Sequence, residues 1–409
     1  MRTPNRGGAR LPDFPWDTLS QARALASAHP GGLVDLSVGT PVDPVPAVVQ
    51  EALALAANSP GYPDTAGTPE LRAAAVGWMR RRLGVTSIDA GHVLPVVGTK
   101  EAVAWLPAML GLGPGDVVAV PELAYPTYAV GALLAGAGVV ATDVPEQRSR
   151  PPALVWVNSP ANPTGAVRST ERLASLVAWA RAHDVVLVSD ECYIELGWEA
   201  RPVSLLHPSV AGADPTGLLV LHSLSKRSNM AGYRAGFLAG DPGLISSLLT
   251  VRKHAGMMMP APVQAAMTAA LSDDDHVEVT RTTYAARRTS LKKAVQTAGF
   301  RIDHSEAGLY LWVTRGETAL DTVTWLARRG ILAAPGTFYG PAGGSHVRLS
   351  MTATDERVAE AVTRLADVGT DVGTDEARTD EAQTDEAQTE PGRAEIPGTL
   401  DISATEESP

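Results

Sequence analysis

Short apolar runs alternate with helical stretches through the first 240 residues of the chain. The runs are rich in Val and Leu and show no polar alternation, which is typical of strands covered on both faces. They predict strands at 93–97, 117–120, 139–142, 153–157, 185–189, 218–222 and 236–240. Strands that alternate with helices indicate an α/β fold with a mostly parallel, doubly wound sheet of about seven strands.

Helix signals support this alternation. Thr68 can cap a helix, Pro69 suits its first position, and Glu70 meets the positive end of the helix dipole. Pro107 interrupts the helix expected after Thr99 and should kink it.

The pattern changes after residue 245, where a long helical region precedes an α+β section with the runs GLYLWV (308–313) and HVRLS (346–350). We therefore predict four parts. Residues 1–40 form an N-terminal arm and part of a small domain, and 41–245 form the large domain. Residues 246–367 hold an interdomain helix and the small domain, and 368–409 form a tail.

The net charge of −11 lies mostly in that tail. From Gly369 onward, twelve acidic residues face only Arg378 and Arg393, a net charge of −10. The repeat TDEARTDEAQTDEAQT (374–389) has no apolar face to bury, so we predict a disordered acidic tail. The nearly neutral body lacks the basic patch of a nucleic-acid binder.

Several other classes of protein are disfavoured. One cysteine, Cys192, allows no internal disulfide or cysteine-based metal cluster, and the nine histidines are scattered, so we expect no metal. The sequence has no apolar stretch long enough to cross a bilayer and no signal-peptide core at its N-terminus. We expect a cytoplasmic protein without membrane or nucleic-acid partners.

Chemistry is expected where the strands end, because ligands of such sheets bind outside the carboxyl ends of the strands. Lys226 follows the strand at 218–222 and is one of only five lysines among 34 basic residues. A lysine at this edge suggests Schiff-base chemistry, for which pyridoxal 5'-phosphate (PLP) is the commonest partner. Asp190 could hold the pyridine nitrogen of PLP protonated, although a helix cap explains it about as well.

The phosphate of PLP needs its own cradle. Gly98 and Thr99 lie between a strand and a helix, where free backbone N–H groups favour an anion, although an ordinary capped turn also fits. Ser223, Ser225 and Arg234 flank the lysine and could contact the same phosphate, while Arg234 could also be a surface charge.

Further candidates also have plain structural explanations. Asn162, in NSPANPTG, and Tyr193 could bond the cofactor's ring oxygen, but the Asn-Pro motif alone predicts a turn. Tyr125 could cover the pyridine face or pack as an ordinary aromatic residue. Arg348 could clamp a substrate carboxylate or lie on the exposed side of its strand.

The order of these motifs resembles the fold-type I, class I/II PLP-dependent aminotransferases from about residue 10 to 367. The resemblance rests on SVGTP (37–41), YPDTAGTPELR (62–72), VGTKEAV (97–103), NSPANPTG (158–165), SDECY (189–193), SLSKRSNMAGYRAGF (223–237) and HVRLS (346–350).

The resemblance implies a role for each matching residue. Lys226 corresponds to the lysine that carries the cofactor and moves the substrate proton. The other cofactor contacts would be Asp190 at the ring nitrogen, Asn162 and Tyr193 at the ring oxygen, Tyr125 on the ring face, and Thr99, Ser223, Ser225 and Arg234 at the phosphate, with the backbone of Gly98 and Lys100. Tyr62 would reach the phosphate of a neighbouring subunit, which implies a homodimer with shared active sites. Gly39, Asn162 and Arg348 would bind the substrate carboxylate.

A finer resemblance is to actinobacterial N-succinyldiaminopimelate aminotransferases, through LPDFPWDTL, DLSVGTPVDPVP, SKRSNMAGYRAG and RLSMTATDERV. It implies amino transfer between glutamate and N-succinyl-2-amino-6-oxopimelate in lysine biosynthesis. The methionines of KHAGMMMPAPVQ argue against an aspartate-specific pocket, although Arg252 and Lys253 lie close by in sequence. Other acceptors, such as LL-diaminopimelate, aromatic or alanine substrates, and a remote role as a non-enzymatic effector domain remain alternatives.

Overall fold

The computed structural model describes residues 11–13 and 15–367, which belong to one compact unit ending at Asp367. The predicted tail at 368–409 lies outside the described residues. Among the described residues, no helix is both long and apolar enough to cross a membrane.

Thirteen strands and thirteen α-helices are described. The strands are β1 (Val34–Asp35), β2 (Val93–Val97), β3 (Val117–Val120), β4 (Gly138–Ala141), β5 (Leu154–Asn158), β6 (Val186–Asp190), β7 (Leu218–Ser223), β8 (Ala235–Gly240), β9 (Arg301–Ile302), β10 (Tyr310–Thr314), β11 (Ile331–Leu332), β12 (Ala334–Pro335) and β13 (Val347–Ser350). The helices are α1 (Ser20–Ser27), α2 (Ala47–Leu55), α3 (Pro69–Leu83), α4 (Thr99–Met109), α5 (Thr127–Ala135), α6 (Thr170–Ala182), α7 (Pro208–Ala211), α8 (Leu224–Arg227), α9 (Pro242–Ala255), α10 (Ala261–Ser272), α11 (Asp275–Thr297), α12 (Ala319–Arg328) and α13 (Asp355–Ala366).

The seven predicted strands form one sheet in the order β2-β8-β7-β6-β5-β3-β4. Its pairs are parallel except those of β8, which runs antiparallel to both β2 and β7. The α/β fold and the mostly parallel sheet are therefore confirmed. Predicted and observed strand ends agree within one residue because each apolar run stops where the strand leaves the core.

Successive residues of the central strands point into two separate cores. In β5, Val155 and Val157 pack into a cluster with α3, α6 and α10, whereas Leu154 and Trp156 pack into a cluster with α4, α5 and α9. All four side chains are buried. Covering both faces with helices explains the absence of polar alternation in the sequence.

The C-terminal part contains a second, antiparallel sheet in the order β12-β13-β10-β9. A separate parallel pair joins β1, near the N-terminus, to β11. Thr68 caps α3 as expected, since its hydroxyl accepts a hydrogen bond from the Leu71 N–H. The helix expected after Thr99 runs through Pro107 and ends two residues later, at Met109.

Candidate active site

The polar residues of the predicted site lie at one edge of the seven-stranded sheet. Asn158 and Asp190 are paired at the ends of β5 and β6, and Ser223 at the end of β7 pairs with Gly236 near the start of β8. Thr99 begins α4 two residues after β2. Because β8 runs antiparallel to its neighbours, its first residues, rather than its last, reach this edge.

Asp190 is buried and held by neutral donors. The Tyr128 hydroxyl donates to one carboxylate oxygen over 2.8 Å, and the Cys192 N–H donates to the other over 3.1 Å. The Asn158 amide donates to the Asp190 carbonyl over 2.9 Å. Burial raises the pKa of Asp190 above its usual value, even though the hydrogen bonds to its carboxylate oppose the shift.

Lys226 lies in α8, where its amino group donates to the carbonyl of Gly39. Burial lowers the pKa of Lys226, and the charges of Arg348 and Arg234 add to that effect. A lower pKa increases the share of neutral amine, which is the form that attacks a carbonyl carbon. The structure therefore places a chemically usable amine at the sheet edge.

The segments around Lys226 and after β2 meet at one surface, where Gly98 lies beside Arg234. Gly98 has φ of 76°, and a Cβ built there would lie 2.4 Å from the Arg234 guanidinium. The Ser223 hydroxyl accepts from the Ser225 N–H over 3.1 Å, and the Cys192 thiol lies 3.3 Å from the Thr99 hydroxyl. Arg234 is itself exposed and donates to the Ala231 carbonyl. Hydroxyls, the guanidinium and the N-terminus of α4 make this surface suitable for a phosphate group.

Arg348 lies on β13 but is only 2% exposed, so the explanation as an exposed strand residue is wrong. One guanidinium nitrogen donates to the Asn162 side-chain oxygen over 2.9 Å, and another to the Ser37 carbonyl over 2.6 Å. The Nε atom is buried without a hydrogen-bond partner in the described part of the chain. The Asn162 amide nitrogen stays available as a donor because its oxygen faces Arg348.

The two tyrosines predicted near the ring differ in their contacts. The Tyr193 hydroxyl lies 3.0 Å from that of Tyr310. Tyr125 packs edge-on against Tyr128, with 5.8 Å between ring centroids, and burial raises the pKa of Tyr125 to about 12. Tyr125 is therefore protonated at neutral pH.

Two predicted contacts have exposed side chains. Tyr62 is 97% exposed, and Lys100 is exposed at the start of α4. Only the backbone of Lys100 was expected to take part, and an exposed side chain is compatible with that.

Sequence reasoning missed three residues of the site: Tyr128, Asn158 and Tyr310. Asn158 lies within NSPANPTG and Tyr128 follows Tyr125 by three residues, so their polarity near a predicted contact was an available signal. Tyr310 gave no such signal, because it lies inside the apolar run GLYLWV and looks like a core residue.

Comparison with known proteins identifies the class. The sequence profile described as "Aminotransferase class I and II" matches residues 32–365, so the chain belongs to this family of PLP-dependent enzymes. PLP is thus its cofactor, and amino and keto acids are its substrates.

Two named proteins have similar sequences, and one solved structure has a similar fold. The chain is 61% identical over 365 residues to a protein named probable aminotransferase Rv1178 of Mycobacterium tuberculosis, covering 88% of this chain and 87% of that protein. It is 60% identical over 356 residues to the 4-dedimethylamino-4-oxo-anhydrotetracycline transaminase OxyQ of Streptomyces rimosus, covering 87% and 99%. The solved structure of a probable N-succinyldiaminopimelate aminotransferase from Thermus thermophilus superposes with a TM-score of 0.78 at 28% identity, covering 87% and 100%.

We predict that Gly98→Ala lowers the affinity for PLP at least tenfold, about 1.4 kcal/mol. The new Cβ would collide with the Arg234 guanidinium and displace it from its position beside residue 98. The dissociation constant of PLP, measured on reconstituting cofactor-free enzyme, checks this.

Gly111→Ala is the matched control. Gly111 follows the other end of α4 with φ of 79°, and a Cβ there meets no described atom within 4 Å. It should lose stability through backbone strain yet bind PLP like the parent. Equal losses of affinity in both variants would contradict the role of the Gly98–Arg234 contact.

Proposed function

We propose that this aminotransferase exchanges an amino group between glutamate/2-oxoglutarate and N-succinyl-LL-2,6-diaminopimelate/N-succinyl-2-amino-6-oxopimelate. The observation that carries the proposal is one buried candidate clamp for a carboxylate, Arg348, which lies on β13 and contacts Asn162. The similar Thermus protein, named as a probable N-succinyldiaminopimelate aminotransferase, supports the same substrate class.

The surroundings of Arg252 support a single clamp. This residue precedes the methionine segment and is one of two cations, with Lys253, that lie close to it in sequence. Its side chain is fully buried and donates to the Glu101 carboxylate over 2.9 Å. Since a guanidinium held by Glu101 inside the core cannot meet a substrate, Arg252 offers no partner to the side-chain carboxylate of aspartate.

The residues at the sheet edge fit PLP. Asp190 is a buried carboxylate with neutral hydrogen-bond donors, so a protonated ring nitrogen would supply the missing positive charge. Asn162 and Tyr193 would bond the ring oxygen, and Tyr125 would lie against the ring. The phosphate would be held by Gly98, Thr99, Lys100 (backbone), Ser223, Ser225 and Arg234.

When bound, PLP stabilises the electron pair left at the substrate α-carbon and carries the amino group between the two half-reactions. Lys226 would hold the cofactor covalently and move the proton at the substrate α-carbon. Arg348 would orient the α-carboxylate with paired hydrogen bonds, and the backbone of Gly39, next to both Lys226 and Tyr310, would border it.

We further propose a homodimer that shares its active sites. Tyr62 is 97% exposed and the nearby Leu55 is 88% exposed, so this part of the chain offers apolar and aromatic surface to a second copy. Tyr62 of a second copy would then reach the phosphate. This arrangement also fits a long substrate that extends past the cofactor toward the dimer interface.

A second candidate follows from the similarity to OxyQ. That relative is named for amination of a ketone on an anhydrotetracycline ring system, and the chain covers 99% of it. An acceptor of that kind would present its ketone without an α-carboxylate for Arg348. The two candidates therefore differ in whether the acceptor half-reaction depends on the clamp.

We predict that Lys226→Ala lowers kcat by about 10³-fold or more, since it removes both the covalent anchor and the proton-moving amine. Borohydride should no longer fix the cofactor to the protein, while non-covalent binding persists. Lys253→Ala, which changes an exposed lysine at the end of α9, is the matched control and should keep both properties. Trapping at a specific lysine in Lys226→Ala, with turnover near that of the parent, would refute the assignment.

We also predict that glutamate and N-succinyl-LL-diaminopimelate are good donors, with kcat/KM at least tenfold above unsuccinylated diaminopimelate and aspartate, or about 1.4 kcal/mol. Steady-state kinetics with the four donors measure this. Arg348→Lys should impair both good donors by similar factors, because lysine cannot reproduce two parallel hydrogen bonds.

Acceptor assays separate the two candidates. The aminated cofactor form should return to its aldehyde form with N-succinyl-2-amino-6-oxopimelate and not with 4-dedimethylamino-4-oxo-anhydrotetracycline. The opposite result would favour the second candidate. Comparable rates with and without the succinyl group would reject the proposed substrate and leave the aminotransferase class unaffected.

A further inference from the structure

Tyr310 lies where the proposed cofactor and substrate contacts meet. Its hydroxyl is 3.0 Å from the Tyr193 hydroxyl, and its ring lies under the Arg348 guanidinium, with 3.9 Å from Cζ to the ring centroid. It also abuts Gly39, because a Cβ built on that glycine would lie 2.1 Å from the Tyr310 oxygen. Tyr310 is only 3% exposed, so these contacts fix it from several sides.

The charges around Tyr310 act on its hydroxyl. Burial alone would raise the pKa of Tyr310, but the positive charges of Arg348 and Lys226 and the hydrogen bond shared with Tyr193 lower it below its usual value, while Cys192 opposes them. Three further tyrosines interact electrostatically with this hydroxyl: Tyr125, Tyr284 and Tyr339. The Tyr310 oxygen is therefore a weak acceptor for the Tyr193 proton while Arg348 keeps its full charge.

A carboxylate on Arg348 would change this balance. It would offset the guanidinium charge above the ring, which strengthens the acceptor character of the Tyr310 oxygen. Tyr193 would then direct its proton more toward Tyr310 and less toward the ring oxygen of the cofactor, which favours protonation at the cofactor. The contacts thus connect a carboxylate-binding residue to a residue assigned to the cofactor through one intervening hydroxyl.

We propose that Tyr310 is a positioning residue that transmits the binding of a substrate carboxylate at Arg348 to the cofactor through the Tyr193 hydroxyl. This inference rests on the roles proposed above for Arg348 and Tyr193. The hydrogen bond from Arg348 to Asn162 offers a second route, so loss of Tyr310 should weaken the transmission without abolishing it.

The test uses the holoenzyme and succinate, which has carboxylates but neither an amino nor a keto group. The pH midpoint of the cofactor absorbance change is measured with and without succinate, at concentrations shown to compete with glutamate. In the parent, the anion should move the midpoint upward, because negative charge favours protonation of nearby groups. In Tyr310→Phe the ring stays and the hydroxyl is lost, and the upward shift should fall by half or more.

Tyr339→Phe is the matched control. The Tyr339 ring centroid is 5.1 Å from Arg348 Cζ, and its buried hydroxyl has no hydrogen-bond partner among the residues that the structure describes. This variant should keep the parental shift. A full shift in Tyr310→Phe, or equal reductions in both variants, would overturn the transmission through Tyr310 while leaving the proposed function intact. Absence of any shift in the parent would count against the roles of Arg348 and Tyr193 themselves, and against the transmission with them.

Tyr193→Phe removes the same hydrogen bond from its other end and keeps Tyr310 in place, so it tests the proposal if Tyr310→Phe holds its cofactor poorly. In Tyr193→Phe the upward shift should also fall by half or more, and a full parental shift would contradict the proposal. If Tyr310 acts through Tyr193, adding Tyr310→Phe to Tyr193→Phe should reduce the succinate shift no further. Additive reductions would show that Tyr310 acts by a separate route.

Discussion

The buried guanidinium of Arg348 is the interaction on which the site depends. Its hydrogen bonds reach Ser37, 311 positions earlier, and Asn162, 186 positions earlier, so one side chain joins three distant parts of the chain. A charge in such a place requires partners, because burying it unpaired costs several kcal/mol. The carbonyl and amide oxygens that accept from it are neutral, so the site suits the anion proposed above as its ligand.

A second constraint is the opposite charge at the end of β6. Asp190 is buried among the Tyr128 hydroxyl and the Cys192 N–H, and burial raises its pKa. The carboxylate and the guanidinium are thus both disfavoured by desolvation until ligands bind. A cofactor with a protonated ring nitrogen suits the first, and a substrate carboxylate suits the second. Because the two charges are desolvated in the free enzyme, groups of opposite charge bind to them more favourably.

The order of the strands and two glycines explain how the side chains of the site come close together. Antiparallel β8 brings Arg234 to the same edge as the ends of β2 and β7, and Gly98 allows its guanidinium to approach. In the same way, Gly39 leaves room for the Tyr310 hydroxyl. The two glycines are required by close contact with a particular side chain, a reason that differs from the needs of an ordinary turn.

The fold class and the seven strands could be predicted from the chain alone, because runs such as VVAV (117–120) must be covered on both faces. Lys226 and Asp190 could be picked out because they follow apolar runs, and Arg348 because of its place in HVRLS. The burial of Arg348, the bond between Arg252 and Glu101, and the contact between Tyr310 and Tyr193 are visible only in the folded chain. These depend on contacts between residues far apart in the chain, which local patterns do not encode.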